Sequence, residues 1–262
     1  ITLTTQGSTG SSDTGDSDFS TATNRTEIIS LSANVFDNTW DAGLILPASE
    51  ICGNGFDDDL NGIIDCPIIS GTVFEDINYG GGDGRNYFTA DVSAQSSGWA
   101  IGDIGVQNAS VELYDNTGAF VASTTTNTLG DYTFTNVESG TYLIRVVNGT
   151  VTSNRGSNVT GQTIIPVQTF RSDGTNDVVN EVGGISPNLI DAGANNATTN
   201  ISTLTTGSTV PQSVTTLTID WTDTTGVDFG YNFDVVVNTN DTGQGSLRQF
   251  ILNSNELNNT NL

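Results

Sequence analysis

The stretch VQNASVELYDNTGAFVASTTTNTLGDYTFTNVESGTYLIRVV, Val106 to Val147, decides the fold class. Val111 and Leu113 alternate with polar neighbours, as one face of a half-buried strand requires. A turn at Asn116 to Gly118 closes that run and AFVASTTT opens the next; DYTFTNV follows Gly130, and TYLIRVV follows Gly140. Short strands at intervals of about ten residues, each bounded by Gly, Asn or Asp, are the pattern of a β-sandwich. The predicted fold is therefore all-β.

The pattern continues on both sides. GQTIIPVQTF, SVTTLTIDW and GVDFGYNFDVVV read as further strands that complete or extend the sandwich over residues 151–237. The segment 238–262 carries the one predicted helix, SLRQFILNSNEL, in which Ser246 and Gln249 form a capping box and Leu247, Phe250 and Ile251 share a face. Toward the N-terminus, Gln6 to Asn24 is almost wholly Gly, Ser, Thr and Asp and reads as a tether. EIISLSANVF, Glu27 to Phe36, alternates like a strand, and TWDAGLIL runs into Pro47. Its Asp-Ala-Gly recurs in LIDAGANN, Leu189 to Asn196; either a common turn is repeated by chance, or residues 1–50 end a preceding module or donate a strand. Residues 51–69 then form a separate acidic loop, and the main sandwich spans 70–150.

Composition removes several function classes. The chain of 262 residues has 30 Asp and Glu against 6 Lys and Arg, all of the latter arginine, and its formal charge is −24. Binding nucleic acid requires clustered cations to displace counterions, which this balance cannot supply. No apolar run approaches the roughly 20 residues of a spanning helix. With no His and no Lys, the commonest general base, the Ser-His and Cys-His pairs and Schiff-base chemistry are all missing. Two carboxylates would suffice for a glycosidase, so the inventory alone leaves that route open; the expectation is nonetheless a protein that is not an enzyme. The chain begins at Ile1 and has no Met, and it reads as part of a longer precursor.

The acidic loop is ICGNGFDDDLNGIIDC, Ile51 to Cys66. Asp57, Asp59 and Asn61 alternate, Gly62 follows, and Ile63 and Asp65 continue the spacing of the first nine positions of an EF-hand loop. Alternating oxygens curl around a hard cation, Gly permits the sharp turn, and Ile63 offers its carbonyl. The twelfth position is Ile68 rather than an acid, and flanking helices are missing, so Asn54 or Asp58 would have to complete the shell. The loop resembles the calcium loops of thrombospondin type 3 repeats and a recurring bacterial surface pattern, C-G-N-G-x-D-D-D-x-D-G-x-x-D-C. Calcium is favoured over a merely solvated turn because adjacent aspartates repel unless a cation sits among them. Two thiolates without His make a poor zinc set. Cys52 and Cys66 are expected to pair, closing a loop worth roughly 3 kcal/mol of chain entropy. That bond points to an extracellular setting.

A second candidate lies in FEDINYGGGDGRN, Phe74 to Asn86, where Glu75, Asp76, Asn78 and Asp83 are placed to surround a cation as a strand leaves its sheet. The Gly run also suggests a phosphate cradle, but it lacks Lys and a following helix.

SGTVFEDIN, with the later GVQNASVELYDNTGAFVASTTTNTLGDYTFTNVESGTYLIRV, resembles the B-type repeat of serine-aspartate-repeat surface proteins, related to collagen-adhesin B-type modules. The resemblance implies an Ig-like or transthyretin-like sandwich serving as a rigid stalk, with calcium ligands falling on Glu75, Asp76 and Asn78. The family's Asn-Gly and downstream acid are replaced here by GGGDGRN. Relatives that lock their sheets with a Lys–Asn isopeptide bond need a lysine, which this chain lacks. VDFGYNFDVVVNTNDTGQGSLRQFILNSN resembles a segment that follows such modules in large bacterial surface proteins.

Asn24, Asn108, Asn148, Asn158, Asn196, Asn200, Asn240 and Asn258 head N-x-[ST] triplets, about as many as this Asn-, Ser- and Thr-rich composition yields by chance. The functional expectation is an extracellular, calcium-stabilised subunit of a bacterial surface stalk, adhesin or filament. Calcium would fix the angle between the strand ending near Leu46 and the sandwich beginning near Ser70. Its partners would be neighbouring modules, or copies of itself joined head to tail by a donated strand, with surface glycans or matrix proteins as further candidates. The alternative is a carbohydrate-binding or accessory module of a secreted hydrolase, with Trp40, Trp99 and Trp221 stacking on sugars; buried tryptophans, expected at least for Trp221, would favour the structural role.

Overall fold

A computed structural model of the chain describes residues 66–77, 79–87, 103–153, 155, 163–195 and 199–257, together with 2–3, 44–45, 33, 51, 52, 56 and 57. It separates into two compact units, Ile1–Cys66 and Pro67–Leu262. In the first, strand β1 (Thr2–Leu3) pairs antiparallel with β2 (Leu44–Ile45), which places part of TWDAGLIL in a strand. The segment Glu27 to Phe36 lies outside the described residues.

The second unit is a β-sandwich. One sheet contains β5 (Ser110–Asp115), β6 (Phe120–Thr125), β8 (Gly140–Val146) and β13 (Ser213–Ile219) in the order β13-β8-β5-β6, antiparallel throughout. The other runs β10 (Asp177–Val178), β9 (Val167–Ser172), β14 (Phe229–Asn232), β3 (Ile69–Glu75), β4 (Ile104–Gly105), with β7 (Asp131–Phe134) also pairing β3. A small parallel pair, β11 (Ile190–Asp191) with β12 (Thr209–Val210), lies apart from both sheets.

The two sheets bury one core. Val111, Leu113, Ile144, Val146, Leu217 and Ile219 come from the first sheet and Ile69, Val73, Tyr132, Phe134, Phe229 and Tyr231 from the second. Each strand's pattern follows its place: β13 alternates buried and more open positions because one face meets the core, whereas all four residues of β14 are buried. That strand sits between β9 and β3, parallel to β3, so residues after 210 complete a sheet that began near residue 69. Residues 151–237 thus contribute strands to both sheets.

Two glycines hold β4 against β3. A Cβ on Gly105 would lie 1.8 Å from the Leu129 carbonyl oxygen, and one on Gly130, at φ +84°, would lie 2.3 Å from that of Val73. No side chain fits at either position.

The predicted helix forms as α1 (Leu247–Glu256), capped by Ser246, whose hydroxyl accepts from the Gln249 amide at 3.1 Å. Its polar side is the buried one. Gln249 donates to the Thr163 carbonyl at 2.9 Å, and Asn253 donates to the carbonyls of Phe233 (2.7 Å) and Ile165 (2.8 Å) while accepting from the Ile165 amide. The amides satisfy irregular backbone that has no strand partner, and this turns Leu247 and Ile251 outward.

Candidate metal centre

Strand β3 ends at Glu75 and Asp76 follows it, both buried. Glu75 has a cationic partner: the Arg155 guanidinium donates to it at 2.8 Å, and the Ser153 hydroxyl lies 2.8 and 2.9 Å from its two oxygens. Arg155 continues to Asp234 at 2.5 Å and lies 6.0 Å from the centre of the Phe233 ring. This largely buried triad anchors Ser153 and Arg155 to the ends of β3 and β14, and it compensates the Glu75 charge without a metal.

Asp76 is different. Its Oδ2 accepts from the Thr169 hydroxyl at 3.1 Å, but Oδ1 is buried and has no hydrogen-bond partner. Burial pushes its pKa up to about 6, against the pull of the Thr169 hydrogen bond and of Arg85. The backbone at this position is rigidly held, with the Asp76 amide donating to the Tyr231 carbonyl at 2.7 Å and the Asn232 amide group donating to the Asp76 carbonyl at 2.6 Å.

The same end of the β3–β4 ladder carries a buried carboxylate that sequence reasoning missed. Strands β3 and β4 pair Phe74 with Gly105 and Glu75 with Ile104, and Asp76 and Asp103 are the residues that follow and precede that ladder. Asp103 is only 7% exposed. The intervening run hid this relation: a spacing rule looks for the closing acid a few residues beyond Asn78, whereas here it comes just before the apolar Ile-Gly-Val that enters the sheet. That apolar entry was the available signal.

The other predicted ligands fall apart from this pair or outside the described residues. Asp83 is exposed in a turn, and Asn78 lies outside the described residues. Among the described residues no three His, Cys, Asp or Glu side chains form a group able to hold a metal. In the Cys52–Cys66 loop the disulfide is formed, with a Cα separation of 5.0 Å, and Asp57 is partly buried. Asn54, Asp58, Asp59, Asn61, Ile63 and Asp65 lie outside the described residues.

As donors, Asp76 and Asp103 suit a hard cation. They offer oxygen alone, and Asp76 Oδ1 is a buried anionic acceptor without a donor, as a calcium ligand is before the ion completes its shell.

A second buried charge cluster braces the opposite sheet. Arg145, on β8, donates to Glu112 on β5 at 2.8 Å, to Asp191 at 3.4 Å and to the carbonyls of Ala192 and Gly193. Glu112 also accepts from the Asn195 amide at 2.7 Å. These bonds fasten residues 191–195 over the sheet.

The glycosylation triplets divide by accessibility. Asn108 and Asn240 are exposed, while Asn200 is half-buried and caps a short turn by accepting from the Ser202 amide. Asn148 is fully buried, its side-chain oxygen accepting from Ser213 and Tyr231 hydroxyls at 2.8 and 3.1 Å, so no glycan attaches there without opening the fold. Asn24, Asn158, Asn196 and Asn258 lie outside the described residues, as do Trp40 and Trp99. Trp221 is half-exposed rather than buried, because β13 ends at Ile219 and Trp221 falls in the turn beyond it.

Residues 95–194 match the family model of the SdrD B-like domain. No curated protein matches the chain. The SdrD B-like match contains Asp103 and β4 to β11 but leaves out β3, β13 and β14, which pair directly with strands of the matched segment. The match supports a β-sandwich module of the SdrD B type, and the compact unit that contains it is larger on both sides.

Proposed function

We propose that the chain is a non-enzymatic, extracellular structural module of a bacterial surface stalk, adhesin or filament, stiffened by calcium. The observation that carries this reading is the buried Asp76 oxygen without a hydrogen-bond partner, in the residue that follows β3, with a second buried carboxylate, Asp103, just before β4, the strand paired with β3. Calcium, when bound, would supply the partner that the buried Asp76 oxygen takes from no hydrogen-bond donor. Asp76 and Asp103 would hold it, with Asn78 as a further donor. The protein's own residues do the mechanical work: the Thr169 hydroxyl and the Asn232 amide hold Asp76, and Gly105 and Gly130 allow β4, which Asp103 precedes, to pack closely at the edge of β3.

The Cys52–Cys66 loop, with Asp57, Asp59, Asn61, Ile63, Asp65 and either Asn54 or Asp58, is the second proposed calcium site, in the first unit. Neighbouring modules of a surface protein are the partners that fit an SdrD B-like module. Surface glycans or matrix proteins are candidate ligands. In a polymerising version, Thr2–Leu3 would leave Leu44–Ile45 and pair with the next copy. Among the described residues no helix is long and apolar enough to cross a membrane.

Thermal unfolding with calcium and with a calcium chelator tests the stiffening role. Chelation is expected to lower the midpoint by several degrees, at about 2–4 °C per kcal/mol for a chain of this size. Identical midpoints in both conditions would remove calcium from the proposal.

A further inference from the structure

The outward face of α1 meets the segment after β14 in an open cavity of about 750 Å³. Val236, Leu247, Ile251 and Leu252 give it an apolar floor, and Asp241 and Arg248 stand at its rim. Leu247 is 59% exposed, Ile251 49% and Val236 46%. A single exposed leucine needs no explanation, but three large apolar side chains in one groove form a patch of the kind that marks a contact surface.

Charge indicates what covers it. At −24, two copies of this chain repel over most of their surfaces. The groove is locally neutral, because its rim holds one cation and one anion, Arg248 and Asp241, joined at 2.9 Å while 59% and 84% exposed. Both halves of an ion pair on one patch make that patch complementary to itself: a two-fold axis carries each Arg248 toward the other copy's Asp241.

We propose that this groove is an interface between two copies of the chain, packed α1 against α1 about a two-fold axis. Leu247, Ile251 and Val236 are buried at its centre, and the Arg248–Asp241 pair is exchanged across it. Such an isologous contact closes at two, so it joins subunits pairwise rather than extending a head-to-tail filament. It is independent of calcium.

Sedimentation of the full chain over a range of concentrations, in chelator, tests this. The expected result is a monomer–dimer equilibrium that tightens between low salt and about 1 M salt, where the screening length falls to about 3 Å and the overall repulsion is suppressed. Ile251→Glu should weaken the dimer roughly tenfold or more by placing a charge in an apolar contact. Its melting midpoint should not change, since Ile251 is half-exposed in the monomer. Arg248→Asp should also separate the copies, and adding Asp241→Arg should restore the dimer. Wild-type chain that stays monomeric at every concentration and salt overturns the proposal. So does Ile251→Glu that associates as well as wild type, or a charge swap that fails to restore association lost in Arg248→Asp.

Discussion

Replacing Asp76 with Asn separates the cost of the buried carboxylate from its use. In the folded chain the carboxyl titrates at about 6, against an ordinary 3.8, because burial disfavours its charge. Its contribution to stability is therefore fully present below about pH 4 and is lost as pH rises through about 6. The shift corresponds to roughly 3 kcal/mol at neutral pH, as an upper figure. Asn keeps an oxygen for the Thr169 hydroxyl but puts an amide group where Oδ1 had no donor, which adds a cost of about 1–3 kcal/mol that is independent of pH. In chelator, the stability of Asp76→Asn relative to wild type should thus rise by up to roughly 3 kcal/mol between about pH 4 and pH 7.5, whatever the constant offset. In calcium at neutral pH the order should move the other way: wild type gains the binding energy, and the variant gains little. Urea unfolding followed by far-ultraviolet circular dichroism, with chelator and with calcium at each pH, measures all four curves. Parallel pH profiles in chelator would refute the assignment of the buried charge. Equal calcium-dependent gains in the two proteins would refute Asp76 as a ligand.

Arg145→Met should destabilise the second unit by about 3–5 kcal/mol in denaturant unfolding, because Glu112 and Asp191 remain buried without their cation. A loss below about 1 kcal/mol would show that those carboxylates find water or protons at little cost. Gly105→Ala should cost about 3 kcal/mol or more, since its Cβ meets the Leu129 carbonyl oxygen at 1.8 Å, and by displacing β4 it should also reduce the calcium-dependent rise in melting midpoint.

Local patterning made much of the first sheet legible. The alternation in SVELYD, the Gly turns that follow and the regular spacing place β5, β6 and β8 of that sheet, and β7 of the other, where the chain forms them, because strand period and turn residues are local signals. The Ser246 cap was legible for the same reason. GVDFGYNFDVVV reads as one long strand, yet the strand formed is only Phe229–Asn232; the chain leaves the sheet at Phe233, which turns into the core. The site was half legible. Glu75 and Asp76 were visible as candidates, but Arg155, distant in sequence, occupies Glu75, and the buried Asp103 enters only because β4 pairs with β3.

By itself the sequence determined the composition-level facts: an acidic chain without His or Lys, strands of period two, one capped helix and two cysteines to close one loop. These follow from residue chemistry and from interactions within a few positions. Tertiary structure alone decided that β14 enters between β3 and β9, that α1 buries its amides and exposes its leucine and isoleucine, and that one acidic residue is neutralised by an arginine while its neighbour keeps a vacant oxygen. Each of those outcomes depends on which distant groups share a buried space. There an unpaired backbone group or charge costs more than an exposed apolar side chain, so pairing across the chain overrides local pattern.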